Sequence, residues 1–164
     1  MGRPKPLVPL AGRPLLEHVL SSVRRSRVGH IVVVLGLEAD RIRREVDLDG
    51  AKIVVNEDYA LGMSSSIRAG LRVAHPNSKA FLVVLGDQPL VSPSTLDSLI
   101  DRWSGSAAKI CIPTYRGARG NPVLVDRSLS KAMEAISGDL GCRAIFHDYP
   151  DEILEIPVDR KSVV

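Results

Sequence analysis

Lys79-Ala-Phe-Leu-Val-Val-Leu-Gly-Asp-Gln-Pro-Leu90 is the stretch on which the fold turns. Its apolar residues follow one another without alternation, the pattern of a strand buried on both faces, and such strands belong to parallel sheets. Gly86 allows a sharp turn and Pro89 stops the strand from continuing. Asp87 is thereby set at the carboxyl edge of the sheet, where open α/β folds bind ligands. A carboxylate at that edge suits magnesium, which pairs one or two carboxylates with substrate phosphates.

Working outward, strand-like and helix-like segments alternate. Leu15, Leu16, Val19, Leu20 and Val23 form the apolar stripe of a helix running from Pro14 to about Ser26. His30 to Leu35 reads as a strand closing in Gly36, Glu38 to Val46 as a short helix, and Ala51 to Val55 as a strand leading to Asn56. Ser64 to His75 reads as a helix with Ile67, Leu71 and Ala74 inward. Beyond the Ala80 strand, Ser92 caps a helix with Pro93 at its first position, ending near Trp103. Strands at Ala108 to Ile112 and Pro122 to Val125, helical segments at Arg127 to Ile136 and Leu140 to His147, and a strand at Glu152 to Val158 complete the chain. This alternation indicates a three-layer α/β/α sandwich with a mostly parallel, Rossmann-like sheet.

The chain has 164 residues, 45% of them hydrophobic, which suits one domain over residues 1–164 with a proper core. No signal peptide and no membrane-spanning run is visible, so a cytoplasmic location is expected, with no membrane partner. The net charge of +3 would help attract a polyanionic small molecule. Scattered basic residues and 4% aromatics argue against a nucleic-acid partner. Cys111 and Cys142 lack metal-site spacing, and Cys111 reads as a buried strand residue. His18, His30, His75 and His147 show no ligand spacing and read as structural or exposed.

Three local patterns stand out together: Gly86-Asp87-Gln88-Pro89-Leu90, the run from Leu61 through Gly62-Met63-Ser64-Ser65-Ser66 to Gly70, and Arg119-Gly120-Asn121-Pro122-Val123. With Met1-Gly2-Arg3-Pro4-Lys5 and Gly138-Asp139-Leu140-Gly141 beside them, the chain resembles the nucleotidyltransferases that activate molybdopterin, especially the molybdenum cofactor cytidylyltransferases, nearly throughout. The resemblance implies a nucleotide-diphospho-sugar transferase-like fold. The middle motifs match closely and both ends depart. Of the family's opening Leu-Ala-Ala-Gly-x-Ser-x-Arg-Met-Gly-x-x-Lys only the tail is present, and its closing Asp-x-Asp-Thr-Pro-Glu-Asp-like segment is absent after Val164. The domain is therefore expected to be incomplete at both ends. A first strand between the His30 and Ala80 strands is what the resemblance leads one to expect, since without it two rows of backbone groups stay unpaired in the interior.

The resemblance also implies site residues. Asp87 would hold magnesium bridging the nucleotide phosphates, and Lys5 would contact the triphosphate, its charge stabilising the transition state at the α-phosphate. Gly2, Asn56, Gly62, Met63, Ser64, Ser65 and Gly86 would line the nucleotide. Gln88, Pro89, Gly120, Asn121, Pro122 and Asp139 would meet the second substrate. Plainer readings stand beside these: Gly62 to Ser65 as a loop and helix cap, Asn56 and Asn121 as turn residues, Gly138-Asp139 as a helix cap, Arg68 as a solvated helix residue.

The implied reaction is magnesium-dependent transfer of CMP from CTP to molybdenum-molybdopterin with release of pyrophosphate. A molybdoenzyme or its maturation chaperone is the implied protein partner. The Ser64-Ser65-Ser66 version inclines the reading to CTP over GTP. Alternatives are a guanylyltransferase of molybdopterin, another small-molecule phosphate nucleotidyltransferase, and a non-catalytic molybdenum cofactor-binding protein. A dinucleotide-binding dehydrogenase is disfavoured because no Gly-x-Gly-x-x-Gly follows a strand.

Overall fold

The computed structural model describes residues 4–158. Each segment with sequence periodicity becomes an element there. They are α1 (Leu15–Arg24), β3 (Ile31–Leu35), α2 (Ala39–Glu45), β4 (Ala51–Val55), α3 (Met63–Arg72), β5 (Ala80–Val83), α4 (Pro93–Ser104), β6 (Ile110–Tyr115), β8 (Val123–Asp126), α5 (Ser130–Ala135) and β9 (Ile153–Pro157). Ser92 caps α4 as expected, its Oγ accepting the Thr95 N–H at 3.2 Å. The Arg127 helix opens as a 3-10 turn over Arg127–Leu129, and the Leu140 segment is a 3-10 helix at Gly141–Ile145.

Three short strands have no apolar run to announce them. β1 (Pro9–Leu10) and β2 (Arg13–Pro14) form an antiparallel hairpin, and β7 (Ala118–Arg119) folds back on β6. The first hairpin turns through Ala11 and Gly12, both at positive φ, as a two-residue hairpin loop of the primed type requires.

β3 pairs parallel with β4. A five-stranded sheet contains the rest: β8 lies antiparallel between β5 and β6, and β9 runs parallel to β6 on its other flank. Side chains alternate between two helical layers. Ile110, Ile112, Val123 and Val125 pack with Ile67 of α3 and Met133 of α5. Cys111 and Leu124 pack with Leu99 of α4. On the β3 side, Val33 and Leu35 meet Leu16 and Leu20 of α1 and Ile42 of α2. Val34 turns the other way, toward Gly70 of α3. The α/β sandwich is thus built from period-two strands between helices on both faces.

The two sheets do not join among the described residues. Between β3 and β5 lies a cleft of about 490 Å³, lined by Val32, Val34, Ala80 and Leu82 and by Ile67 and Leu71 of α3. The strand expected to be buried on both faces is for this reason only half-buried along Ala80–Val83: one flank carries β8 and the other opens on the cleft.

Candidate active site

Three strand ends define one edge of the molecule. Asn56 follows β4, and its N–H donates to the Leu35 carbonyl at the end of β3 at 2.7 Å. Gly86, Asp87, Gln88 and Pro89 follow the end of β5. β8 is antiparallel to β5 with Val83 opposite Val123, so Gly120, Asn121 and Pro122, which lead into β8, meet the same edge.

The chain before α1 also arrives there. Leu7, wholly buried, packs with Leu35, and two residues earlier Lys5 Nζ lies 3.6 Å from Asp87 Oδ2. The lysine side chain is 81% exposed and the carboxylate 36% exposed. Such a pair contributes little to stability and opens readily to an incoming anion. The Gln88 Oε1 beside it is buried without a partner. Gly2 lies outside the described residues.

The first turn of α3 is held from two sides. Asn56, only 6% exposed, donates through Nδ2 to Ser65 Oγ at 2.8 Å and Ser66 Oγ at 3.0 Å, and its Oδ1 accepts the Asp58 N–H at 3.1 Å. Ser65 Oγ in turn donates to the Gly62 carbonyl at 2.8 Å. From the opposite side the Met63 N–H donates to Asp139 Oδ1 and the Ser64 N–H to the Gly138 carbonyl, each at 3.1 Å. Asp139 is therefore a cap, but of a helix distant in sequence rather than of the helix that follows it. Gly62 is required here: its φ is +96°, and a Cβ would stand 2.6 Å from Asp139 Oδ1. The Ser64 hydroxyl is fully buried and has no partner. Arg68 donates to the Ile136 carbonyl, tying α3 to the end of α5.

Gly120 is buried, and its N–H donates to the Pro113 carbonyl at 2.9 Å. The Asn121–Pro122 bond is cis. Arg143 reaches this loop, donating to the Arg119 carbonyl at 3.3 Å. Lys5, Asn56, Gly62–Ser65, Gly86–Pro89, Gly120–Pro122 and Asp139 thus come from distant parts of the chain to one edge and its flanks. Arg143, whose contact braces the site, carries no motif in the sequence that would have marked it, while Ser66 stands inside the quoted serine run without having been singled out as a site residue.

A match to the MobA-like NTP transferase domain extends over residues 1–153. The chain belongs to that family. It is a nucleotidyltransferase of the MobA-like type, a family that uses nucleoside triphosphates.

Three similarities place this MobA-like chain among known proteins. Nicotine blue oxidoreductase of Paenarthrobacter nicotinovorans is 34% identical over 157 residues, covering 92% of this chain and 76% of that protein. The crystal structure of Rv0371c from Mycobacterium tuberculosis H37Rv in complex with manganese superposes with a TM-score of 0.86 at 31% identity, over 97% of this chain and 84% of that one. The bifunctional protein GlmU of Paraburkholderia xenovorans is 39% identical over 99 residues, 60% of this chain and only 21% of that protein.

Neither thiol is poised for nucleophilic chemistry. Burial pushes Cys111 up to about 11 and Cys142 up to about 12. Among the described residues no three His, Cys, Asp or Glu side chains cluster as a metal site. Asp87 offers a hard carboxylate oxygen at the edge. That suits magnesium or manganese, which take one or two carboxylates and leave the rest of the shell to water and phosphate oxygens. Among the described residues no helix is long and apolar enough to cross a membrane.

Proposed function

We propose that this chain transfers CMP from CTP to molybdenum-molybdopterin, releasing pyrophosphate, with magnesium as the metal. The observation that carries the reading is the meeting of Lys5 and Asp87 at the carboxyl edge, beside the loops ending in Asn121 and the serine-lined first turn of α3. The family membership supports nucleotidyl transfer, and the Ser64-Ser65-Ser66 sequence inclines the base choice to cytosine.

The acceptor's terminal phosphate is already an anion at neutral pH, so no protein nucleophile is needed. Its oxygen forms a bond to the α-phosphorus as the bond to the β-phosphate oxygen breaks on the opposite side, and pyrophosphate leaves with that electron pair. Lys5 exchanges its weak pairing with Asp87 for the triphosphate, and its charge offsets the charge gathering on the phosphoryl oxygens. Asp87, released from the lysine, is the residue that would hold magnesium, which supplies charge neutralisation across the phosphates. Holding both reactants on one edge converts the encounter to a positioned one.

The test is pyrophosphate release from CTP, GTP and ATP with molybdenum-molybdopterin, with magnesium or manganese and without either. Turnover that prefers CTP supports the proposal. Preference for GTP moves it to guanylyl transfer. Binding of the acceptor without any turnover would make this a non-catalytic carrier.

The relative named nicotine blue oxidoreductase favours a second reading, in which this chain carries out a two-electron redox reaction on nicotine blue with a separate small-molecule electron carrier as co-substrate. Turnover of nicotine blue by this chain, with no pyrophosphate release, would establish it.

A further inference from the structure

Asp87 has different neighbours on its two sides. Lys5 reaches it from the β3 side, carried there by Leu7 against Leu35. On the other side, β7 and β8 are one strand interrupted by a bulge. From Cys111–Leu124 to Thr114–Arg119, three residues along β6 correspond to five along the opposing strand, and the surplus lies at Gly120–Pro122. Bulges re-aim side chains beside sites. Leu124 links Cys111 to Leu82, so Thr114 and its partner Arg119 stand level with Leu85, just before Gly86 and Asp87.

The Arg119 side chain is committed elsewhere. Its Nε–H donates to Glu155 Oε1 at 2.7 Å, and its guanidinium lies over the Phe146 ring. Its carbonyl is taken by Arg143, through Nη2 at 3.3 Å. Arg143 is exposed, and among the described residues no carboxylate pairs with it. Its backbone is fixed. The Arg143 N–H donates to the Leu140 carbonyl at 3.2 Å, and Cys142 and Ile145 are buried in the core. Gly141 sits so close to Met63 that a Cβ would stand 2.6 Å from Sδ. A guanidinium with donors to spare is thus held on a rigid support, on the β8 side of Asp87.

Nucleotidyl transfer brings two anions together. Lys5 and a metal answer the triphosphate, and the acceptor needs a cation of its own. A planar fork of N–H donors matches phosphate oxygens better than a point charge does. We propose that Arg143 receives the acceptor as a phosphate monoester. This rests on the nucleotidyl-transfer reading and narrows it: the reacting group is a phosphate, not an alcohol, amine or carboxylate. An oxygen of the phosphate held by Arg143 forms the bond to the α-phosphorus, the bond from that phosphorus to the β-phosphate oxygen breaks, and pyrophosphate leaves with the electron pair. No proton has to move.

The probe is phenyl phosphate, titrated into the full chain while the arginine Nε–H resonances are followed by nuclear magnetic resonance. Saturable binding that moves the Arg143 resonance is the expected result. Arg143→Gln should weaken that binding about ten-fold or more and keep the affinity for magnesium-CTP, whereas Lys5→Ala should do the reverse. Arg143→Lys, which keeps the charge but not the fork, should recover only part of the loss. In turnover, Arg143→Gln should raise the KM of the acceptor and not that of CTP.

An Arg143 resonance unmoved at saturation overturns the proposal, and so does a folded chain that does not bind phenyl phosphate. Wild-type affinity in Arg143→Gln overturns it too. Equal loss of both ligands in a folded Arg143→Gln would make the residue a brace only. If that variant does not fold, the wild-type resonance decides. Failure of the parent reading looks different. A chain that binds phenyl phosphate through Arg143 yet releases no pyrophosphate refutes nucleotidyl transfer, whereas release that Arg143→Gln leaves untouched refutes the Arg143 assignment alone.

Discussion

Asp87 and Lys5 are exposed enough that their mutual attraction adds little to the fold, yet they sit where three strand ends converge. Activity and stability should therefore separate at these positions. Asp87→Asn is expected to lower kcat/KM for pyrophosphate release by about 100-fold or more, while the denaturation free energy moves by no more than about 0.5 kcal/mol. Lys5→Ala should behave likewise. A variant that keeps wild-type turnover would remove that residue from the mechanism. Gly62 stands at the opposite extreme. Gly62→Ala puts a Cβ at positive φ and against Asp139, which should cost about 2 kcal/mol or more by chemical denaturation and loosen the same turn that serves the nucleotide.

At the level of elements, the first turn of α3 behaves as a clamped unit. Asn56 holds it from inside with two hydrogen bonds, to Ser65 and Ser66, and Gly138 and Asp139 hold it from outside. Asn56→Ala leaves Ser65, Ser66 and the Asp58 N–H without this partner and is expected to cost about 1–3 kcal/mol. Amide exchange in α3 should show the loss concentrated between Met63 and Ile67. The elements themselves were legible. The α1 stripe, the Ser92 cap and the β5 run each carry a local signal whose period or chemistry the folded chain keeps. The motif residues also reached a common edge, because strand ends and turn residues mark where loops collect. What had no local signature was pairing across distance. β7 and the β1–β2 hairpin are two residues long, too short to show alternation. That Asp139 would cap α3 rather than its own following helix depends on a contact 76 residues away. The half-exposure of Ala80–Val83 depends on what lies beside the strand, which its apolar run does not encode.

For the whole molecule, pH exposes the cost of burying two thiols. Cys111 and Cys142 are pushed up from 9.0 to about 11 and about 12 by burial. Below pH 9 they are protonated in both folded and unfolded chains and do not change the balance. As the pH rises past 9, the unfolded chain releases protons that the fold retains, so stability falls through the range up to 11 and 12. Denaturation midpoints at about pH 8 and about pH 10 check the sign. A thiol reagent near neutral pH should label both cysteines only after unfolding, and rapid labelling of the native chain would contradict their burial.

The divided sheet has a consequence for folding. No backbone ladder crosses the cleft among the described residues, so β3, β4, α1 and α2 form one core around Leu20, Val33 and Ile42, while β5 through β9 form another around Ile110, Val125 and Met133. Among the described residues they are linked by packing through α1, α3 and α4 and by polar contacts such as Arg27 with Asp97 and Asp101. Cooperativity is a property of shared contacts, and here the shared contacts are the weaker kind. Heating this chain should melt it in two steps, the smaller half first, and calorimetry should find a van't Hoff enthalpy well below the calorimetric one. A single coincident transition would show that the helices alone weld two partial sheets into one thermodynamic unit.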